Sequence, residues 1–508
     1  MLLQRNPPLA RAIPPKTPHS LIISLPTWQD NVNFGKGTID QALMETTYPR
    51  FAIHPLVRSV TKSSFSPLLV AYYRSTFKLA ANGISSRLAE NCLRRRNGQT
   101  EMTLGLPTEP DHEYASYYGS HSPITSVLEA KERIKTRFAG ISADGTNIRG
   151  VEGLSTSDVY LYSTGMSAIW HVHQMLHDVF GGNFDDRGRT FIAAHVNIIY
   201  VDSYRLLEAR SSGHRFFTND TLDDLEHLLD SSASSDTAFL AIFTDFPGNP
   251  HLKSADLPRL RMLADKYHIP IIIDETVGCH LNVDVLPYAD IVVASLTKVF
   301  SGYSNVLGGA MLLNPSSEFY ARFKAHLNEN YEDNYFDADV LVMELNSRGL
   351  EARVARTNEN AEALADWLFL RSKVGGMKET VIEEVFYPKY QSKENYEQCM
   401  RPRVSDFQPG YGGLVSFSFT SLEAAKTFYD CIQCYKGTTL GTVITLLSPF
   451  NALAFPPEKG EWTREHDVKD SLVRFSIGVE DISRILYSVE AGLFAAERSR
   501  RLDLGVAS

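Results

Sequence analysis

From about residue 158 the chain alternates short, uninterrupted apolar runs with amphipathic stretches. Residues 159–163, 191–194, 239–243, 269–273 and 291–294 read as strands, and 166–179, 223–229 and 257–267 as helices. A strand that is apolar at nearly every position is buried on both faces, and helices between such strands supply the crossovers that parallel pairing needs. The pattern therefore predicts an α/β fold with a mostly parallel sheet covered by helices. From about residue 350 the order becomes helix 358–370, strand 414–419, helix 422–435, strand 472–477 and a terminal helix 482–497, which fits a smaller α+β domain. The first 110 residues are punctuated by proline, with helix-like pieces at 64–79 and 84–96. Arg94, Arg95 and Arg96 read as the solvated end of the second piece, where cations suit the helix dipole. The implied division is an arm with an irregular helical segment over 1–110, a large domain over 111–345 and a small domain over 346–508.

Composition narrows the class without naming an activity. The 508 residues are 43% hydrophobic and 22% charged, with 32 Gly and 24 Pro, which excludes disordered and collagen-like chains. A net charge of −10 makes nucleic acid an unsuitable partner. The uncharged run 437–457 holds four Thr and three Pro, a poor bilayer helix but a good buried strand and loop. Residues 1–20 lack an apolar segment and carry five prolines, so neither a secretory signal nor an amphipathic transit helix is expected. The five cysteines are scattered, and Cys431-x-x-Cys434 has no second pair to complete a metal site. A cytoplasmic protein without a metal is the expectation.

Ligands of open α/β sheets bind beyond the carboxyl ends of the strands. Here those ends carry Ser163-Thr164-Gly165-Met166, Asp245 with Asn249, Asp274, and Ser295-Leu296-Thr297-Lys298. The turn at Thr164-Gly165 opens a helix whose free N–H groups suit a phosphate. Asp274 follows a buried strand; it either caps a local turn or pairs with a cation such as a protonated pyridine nitrogen. Lys298 closes the next strand, where burial lowers the amine's pKa and makes it a nucleophile or base. Ser295 and Thr297 flank it with hydroxyls. Lysine, acid and phosphate turn on strand ends form the constellation that pyridoxal phosphate requires.

Two rival readings use the same stretch. Ser295-x-x-Lys298 with Tyr303-Ser304-Asn305 imitates serine penicillin-recognising enzymes, but those motifs lie far apart in such chains, and the K-T-G strand is absent. His171, His173 and His177 lack an H-E-x-x-H pattern and read as a half-exposed helix face rather than a metal site.

The segments Asp274-Glu275-Thr276, 289–298 and Gly302-Tyr303-Ser304-Asn305-Val306 resemble the Cys/Met-metabolism family of pyridoxal-phosphate enzymes. Ile13-Pro14-Pro15, Ser24-Leu25-Pro26-Thr27-Trp28 and Tyr48-Pro49-Arg50-Phe51 are similar to its fungal cystathionine γ-synthase branch. The resemblance implies fold type I, like aspartate aminotransferase. It implies Lys298 as the lysine linked to the cofactor, Asp274 at the ring nitrogen, and Gly165, Met166, Ser295 and Thr297 around the phosphate. Tyr200 would stack on the ring and Asn249 lie near its hydroxyl. Tyr48 and Arg50 would reach the phosphate of a neighbouring subunit, which implies a homodimer with shared sites, usually a dimer of dimers. Arg474 would clamp the substrate carboxylate, with Thr439 and Tyr303 on the substrate side. Strand periodicity agrees, since Val473, Phe475 and Ile477 share one face and Arg474 takes the other. The family usually has Glu at Asp245, Asn at Glu275, His at Tyr303, Asp at Asn305 and Ser at Thr439.

The implied activity is γ-substitution on an O-acyl-L-homoserine, with a cysteine thiol or, in secondary metabolism, a carbon or nitrogen nucleophile. Retention of Lys298, Asp274, Tyr200 and Arg474 together argues against a non-catalytic scaffold.

Overall fold

The structure is a computed structural model that describes residues 3–64, 83–99, 101–102, 104, 126–142, 144–180, 190–232, 236–403, 407–454 and 461–503. Its large sheet has seven strands: β1 (Val159–Tyr162), β2 (Thr190–Val196), β3 (His214–Phe217), β4 (Thr237–Asp245), β5 (Ile271–Asp274), β6 (Ile291–Ala294) and β7 (Gly309–Leu313). They lie in the order β1-β7-β6-β5-β4-β2-β3. The pairs β6–β5, β5–β4, β4–β2 and β2–β3 are parallel, and β7 runs antiparallel to both its neighbours.

Side chains alternate across the sheet, so each strand feeds two cores. Ile242, Ile271, Ile273, Val292 and Leu312 pack on one face with Ala130, Ile134, Leu260 and Leu263 from the helices Val127–Ala139 and Leu257–Tyr267. Phe243, Ile272, Val293 and Met311 pack on the other with Ala168, Val172 and Met175 of helix Gly165–Phe180 and Phe323 of helix Tyr320–Asn330. The α/β expectation holds, with a mostly parallel sheet. The apolar alternation misses β3 and β7. In β3 only Phe217 is buried, and β7 opens on the second of two glycines, Gly308 and Gly309, which interrupt the apolar signal.

A second sheet of five strands follows: β8 (Ile382–Phe386), β9 (Leu414–Phe419), β10 (Tyr435–Lys436), β11 (Leu446–Pro449) and β12 (Leu472–Ser476), in the order β10-β11-β12-β9-β8. Val473, Phe475 and Ile477 enter its core with Phe417, Phe428 and Leu364, as their alternation requires. Helix Leu422–Cys431 ends four residues earlier than the periodicity predicts, because Ile432 takes an extended conformation and leads into β10. Cys431 is exposed and Cys434 buried, and all five cysteines are free thiols. The described part of the uncharged run, 437–454, forms a loop, β11 and the short helix Phe450–Ala454, in agreement with a buried strand and loop. No described helix is long and apolar enough to cross a membrane.

The helix expected over 64–79 lies outside the described residues apart from Ser64, as does the 110/111 boundary. The second piece forms as Ser86–Arg96 with Ser85 as its N-cap. The segment before Tyr48 lies on the small sheet. Leu25 N–H donates to Lys436 O (3.2 Å), Lys436 Nζ donates to Pro26 O (3.0 Å), and Asn31 Nδ2 donates to Tyr429 OH (2.8 Å). Those bonds fix where residues 48–51 can go.

Candidate active site

The carboxyl ends of β1, β4, β5 and β6 share one edge of the large sheet and open on a cavity of about 1290 Å³, its open mouth included. The opposite walls come from residues 48–51, the loop 438–440, Ser448, helix Phe450–Ala454 and Arg474 on β12. Of the residues singled out in the sequence, Tyr48, Arg50, Gly165, Met166, Tyr200, Asn249, Asp274, Ser295, Thr297, Lys298, Thr439 and Arg474 line this one cavity.

Lys298 is buried at its centre, and its Nζ donates to Thr439 Oγ1 at 2.6 Å and sits 4.2 Å from the centroid of the Tyr48 ring. Burial, with Arg474 and Arg50 nearby, pushes the amine down to about 7 from 10.5. Near neutral pH much of it is therefore unprotonated and able to take a proton or attack a carbonyl. The small-sheet loop reaches Lys298 closely. At Gly441 (φ 71°) a Cβ would lie 2.5 Å from Val299 N and 3.0 Å from Lys298 Cβ, so only glycine fits.

Asp274 ends β5, and its Oδ1 accepts the backbone N–H of Thr276 at 2.8 Å. Burial raises its carboxyl to about 6, against the pull of the Thr276 bonds. It thus caps a local turn and also faces the cavity; the two readings are compatible. Thr276 Oγ1 in turn accepts Ser295 N–H at 2.8 Å, tying the end of β5 to the lysine loop.

The Thr164-Gly165 turn starts helix Gly165–Phe180 at the cavity wall, where its first N–H groups have no intrahelical acceptor. A Cβ at Gly165 would meet Ser295 Cβ at 2.6 Å, so glycine lets this turn close against the β6 end. Thr297 is less free than its spacing suggests. Its Oγ1 accepts Gly308 N–H (3.0 Å) and donates to Gly308 O (3.3 Å), which fixes the loop.

Tyr200 precedes helix Val201–Arg210 and donates its hydroxyl to Asp202 Oδ2 at 2.9 Å. Asp202 also pairs with Arg50 (3.2 Å) and Arg205 (2.9 Å). Sequence reasoning missed Asp202 as an organiser, although an acid in a helix's first turn next to Tyr200 is a readable signal. Arg474, in the middle strand of the small sheet, donates Nη1 to Asn249 Oδ1 at 3.0 Å, with Nη2 near Thr439 O and Ser448 Oγ at 3.4 and 3.5 Å. Its Nε is buried without a partner. Burial and the Arg50 charge lower it to about 10, so it stays a cation at neutral pH and lacks a carboxylate. Phe51, Phe450 and Leu453 complete the apolar side of the cavity and were not singled out in the sequence.

Two expectations are corrected, those for Tyr303 and His173. Tyr303 lies outside this cavity: its ring packs beside Ile13, Ile22 and Val443, 5.3 Å from the Arg353 guanidinium carbon. Burial of the ring in that apolar cluster outweighs exposure to substrate. Tyr48 and Arg50 line this cavity within the single chain described, and the arm before them is bonded to the small sheet. His173 is fully buried, not half-exposed, and burial next to His177 and Arg210 lowers it to about 3.

The donor set fits pyridoxal phosphate. A depressed lysine serves the aldehyde and a buried carboxylate the ring nitrogen. Helix-terminal N–H groups beside Ser295 serve the phosphate, and an orphaned arginine Nε awaits an acceptor. Comparison with known proteins agrees. Residues 147–494, more than half the chain, match the family model described as Cys/Met metabolism PLP-dependent enzyme. The chain is 32% identical to the cystathionine gamma-synthase-like enzyme iboG1 of Amanita muscaria, over 97% of this chain and 98% of that one. It is 35% identical to the cystathionine gamma-synthase of Neurospora crassa, over 84% of this chain and 68% of that one. Among solved structures, cystathionine gamma synthase from Xanthomonas oryzae pv. oryzae matches with a TM-score of 0.56 and 21% identity, covering 74% of this chain and 100% of that one; this likeness concerns the fold. The chain therefore belongs to the Cys/Met-metabolism family of pyridoxal-phosphate-dependent enzymes, in its fungal cystathionine γ-synthase-like branch, with pyridoxal 5'-phosphate as cofactor.

Proposed function

We propose that the protein catalyses γ-substitution on an O-acyl-L-homoserine, joining the four-carbon unit to a nucleophile such as the cysteine thiol. The observation that carries this reading is that groups from the two walls of the cavity meet at Thr439, with Lys298 Nζ on Thr439 Oγ1 at 2.6 Å and the Arg474 guanidinium beside Thr439 O at 3.4 Å. A base and a carboxylate clamp meeting at one residue suit an amino acid held by its α-carboxylate with its Cα next to the amine.

Bound here, pyridoxal phosphate supplies the electron sink that makes the Cα proton removable. Lys298, Asp274, Gly165, Met166, Ser295, Thr297, Tyr200, Asn249, Tyr48 and Arg50 are the residues we assign to holding it. Arg474 takes the substrate carboxylate in a two-pronged pair. Lys298 takes the Cα proton, with Thr439 Oγ1 aiming its lone pair. A Cβ proton is removed next, the acyloxy group departs from Cγ as a carboxylate with the bonding pair, the nucleophile gives up its own proton and bonds to Cγ, and one proton returns to Cβ and one, from Lys298 Nζ, to Cα, so that the net products are the Cγ-substituted amino acid and the free carboxylic acid. Phe51, Phe450 and Leu453 exclude water that would compete as the nucleophile.

One observation favours a nucleophile other than cysteine. Among the described residues, the cations lining the cavity are Arg50, Lys298 and Arg474. Arg50 is paired with Asp202 and the other two serve the first substrate, so a second α-carboxylate meets no further cation. A carbon or nitrogen nucleophile without a carboxylate fits this inventory. Dimer or tetramer assembly, the cytoplasmic setting and the boundaries at 110/111 and 345/346 complete the proposal.

The test is incubation of the holoenzyme with O-acetyl-L-homoserine and, separately, cysteine, carbon acids and amines, with products identified by mass. A Cγ-substituted product is expected. Release of acetate with no adduct from any nucleophile, or no acetate release at all, would overturn the reading.

A further inference from the structure

Asp245 stands where the family usually has Glu, and the mechanism above does not use it. It ends β4 as Asp274 ends β5, and the two residues are directly in register. In-register neighbours on adjacent strands sit about 4.8 Å apart and point to the same face. Both line the cavity; Asp245 is buried and Asp274 half-buried.

Each carboxyl has one oxygen tied to backbone. Asp245 Oδ2 accepts Tyr200 N–H at 2.8 Å, and Asp274 Oδ1 accepts Thr276 N–H at 2.8 Å. The groups around the pair are few. β5 contributes Asp274, and the β2–helix junction contributes Tyr200. Glu275 is turned away into a two-pronged ion pair with Arg149 at 2.6 and 2.8 Å. Among the described residues no Lys, Arg or His lies within ion-pair distance of Asp245, and the cavity cations Arg50, Lys298 and Arg474 are engaged elsewhere. Two carboxylates side by side without a counter-cation, one of them buried, repel each other, so the buried one favours its protonated form.

We propose that Asp245 is a positioning residue that holds a proton at neutral pH, so that Asp274 is the single negative charge offered to the cofactor's ring nitrogen, while Asp245 fixes Tyr200 through its backbone N–H. The assignment of the proton follows from unequal burial. Asp245 is buried and faces Asp274's charge, whereas Asp274 is half-buried at the cavity, where an ionised carboxylate is better solvated. Burial and that facing charge raise Asp245 well above the carboxylate range, in agreement with the geometry. A neutral Asp245 also keeps the ring pocket from holding two negative charges against one ring proton.

Infrared spectra of the holoenzyme at pH 7 test the proposal. A protonated-carboxyl C=O band that moves in D2O is expected in the wild type and absent in Asp245→Asn. Asn is neutral and still accepts from Tyr200 N–H, so the pH midpoint of the bound cofactor's absorbance should move by less than about half a unit. Asp245→Ala removes that acceptor and should weaken cofactor retention about tenfold. A band that persists in Asp245→Asn overturns the proposal. So does a midpoint lowered by more than about one unit, because that is the signature of removing a negative charge. If Asp245→Asn does not fold, Asp245→Glu provides the reading: the band must remain at a displaced frequency, and an unmoved band assigns the proton elsewhere.

Discussion

The two walls of the cavity are built by different means. The sheet-edge wall takes Asp245, Asp274 and Lys298 from the ends of parallel strands, where backbone register sets their spacing. The facing wall takes Tyr48, Arg50, Thr439 and Arg474 from segments far apart in the chain, held by side-chain bonds such as Arg50–Asp202 and Arg474–Asn249. In the first wall Asp245 and Asp274 are held by the strand ladder and Lys298 by the turn that follows β6. The second depends on how the arm and small sheet dock, and it is where a substrate must enter. Chemistry is therefore placed on the wall built at the sheet edge, and recognition on the wall assembled from distant segments.

Removing the amine tests the sheet-edge wall and should have the largest effect. Lys298→Ala should abolish the yellow absorbance of the holoenzyme and lower turnover by about three orders of magnitude or more. Full activity in that variant would remove the catalytic reading. The same residue gives a pH test in the cofactor-free protein. Its folded pKa of about 7 lies below the unfolded value of 10.5, so the unfolded chain binds the extra proton between those values. This contribution to stability rises with pH from about 7 to 10.5. Urea midpoints of the wild type should climb relative to Lys298→Met over that window, and parallel profiles would place the amine in water.

Arg474→Lys probes the second wall at its strongest point. The charge survives but the planar fork is lost, so kcat/KM should fall about 100-fold, mostly through KM. An unchanged KM would mean that the carboxylate binds elsewhere.

The same contrast governs what the sequence reveals. Lys298 and Asp274 are legible because a strand buried on both faces ends abruptly in a charge, a local pattern that single-chain reading detects. Arg474 is legible from period-two alternation within β12. Tyr48, Arg50 and Thr439 are identified only through resemblance, since nothing local says that residues some 140 or 250 positions from Lys298 meet it. That distance is also why the path of the segment carrying Tyr48 and Arg50 is not readable from the sequence. The route of the arm depends on bonds to Lys436 and Tyr429, hundreds of positions away. Tyr303 fails for a related reason: its closeness to Lys298 in sequence suggests a site role, whereas an apolar cluster with Ile13 and Ile22 claims the ring. Asp202 escapes because an acid in a helical first turn is common, and its three partners become apparent only in space.

Arg50→Ala tests whether the second wall is a chain's own. Loss of this cation near the phosphate should weaken cofactor retention about tenfold, measured by dialysis and absorbance. Mixed with Lys298→Ala subunits it should regain nothing beyond the sum of the two, because a site completed within one chain gives neither variant both groups. Recovery on mixing would transfer the arm to a neighbour's cavity.

The smallest effect is expected where the two walls touch. Thr439→Val keeps the volume of the loop residue and deletes the hydroxyl that receives Lys298 Nζ at 2.6 Å. One buried hydrogen bond is worth about 1 kcal/mol, so kcat should fall about fivefold. Without Thr439 Oγ1 to accept from the protonated amine, the acid limb of the pH–rate profile should move down, because the neutral form gains relative weight. Thr439→Ser restores the oxygen without the methyl group and should recover both rate and limb. If Val and Ser behave alike, the hydroxyl neither aims nor tunes the amine, and the contact between the walls is one of shape alone.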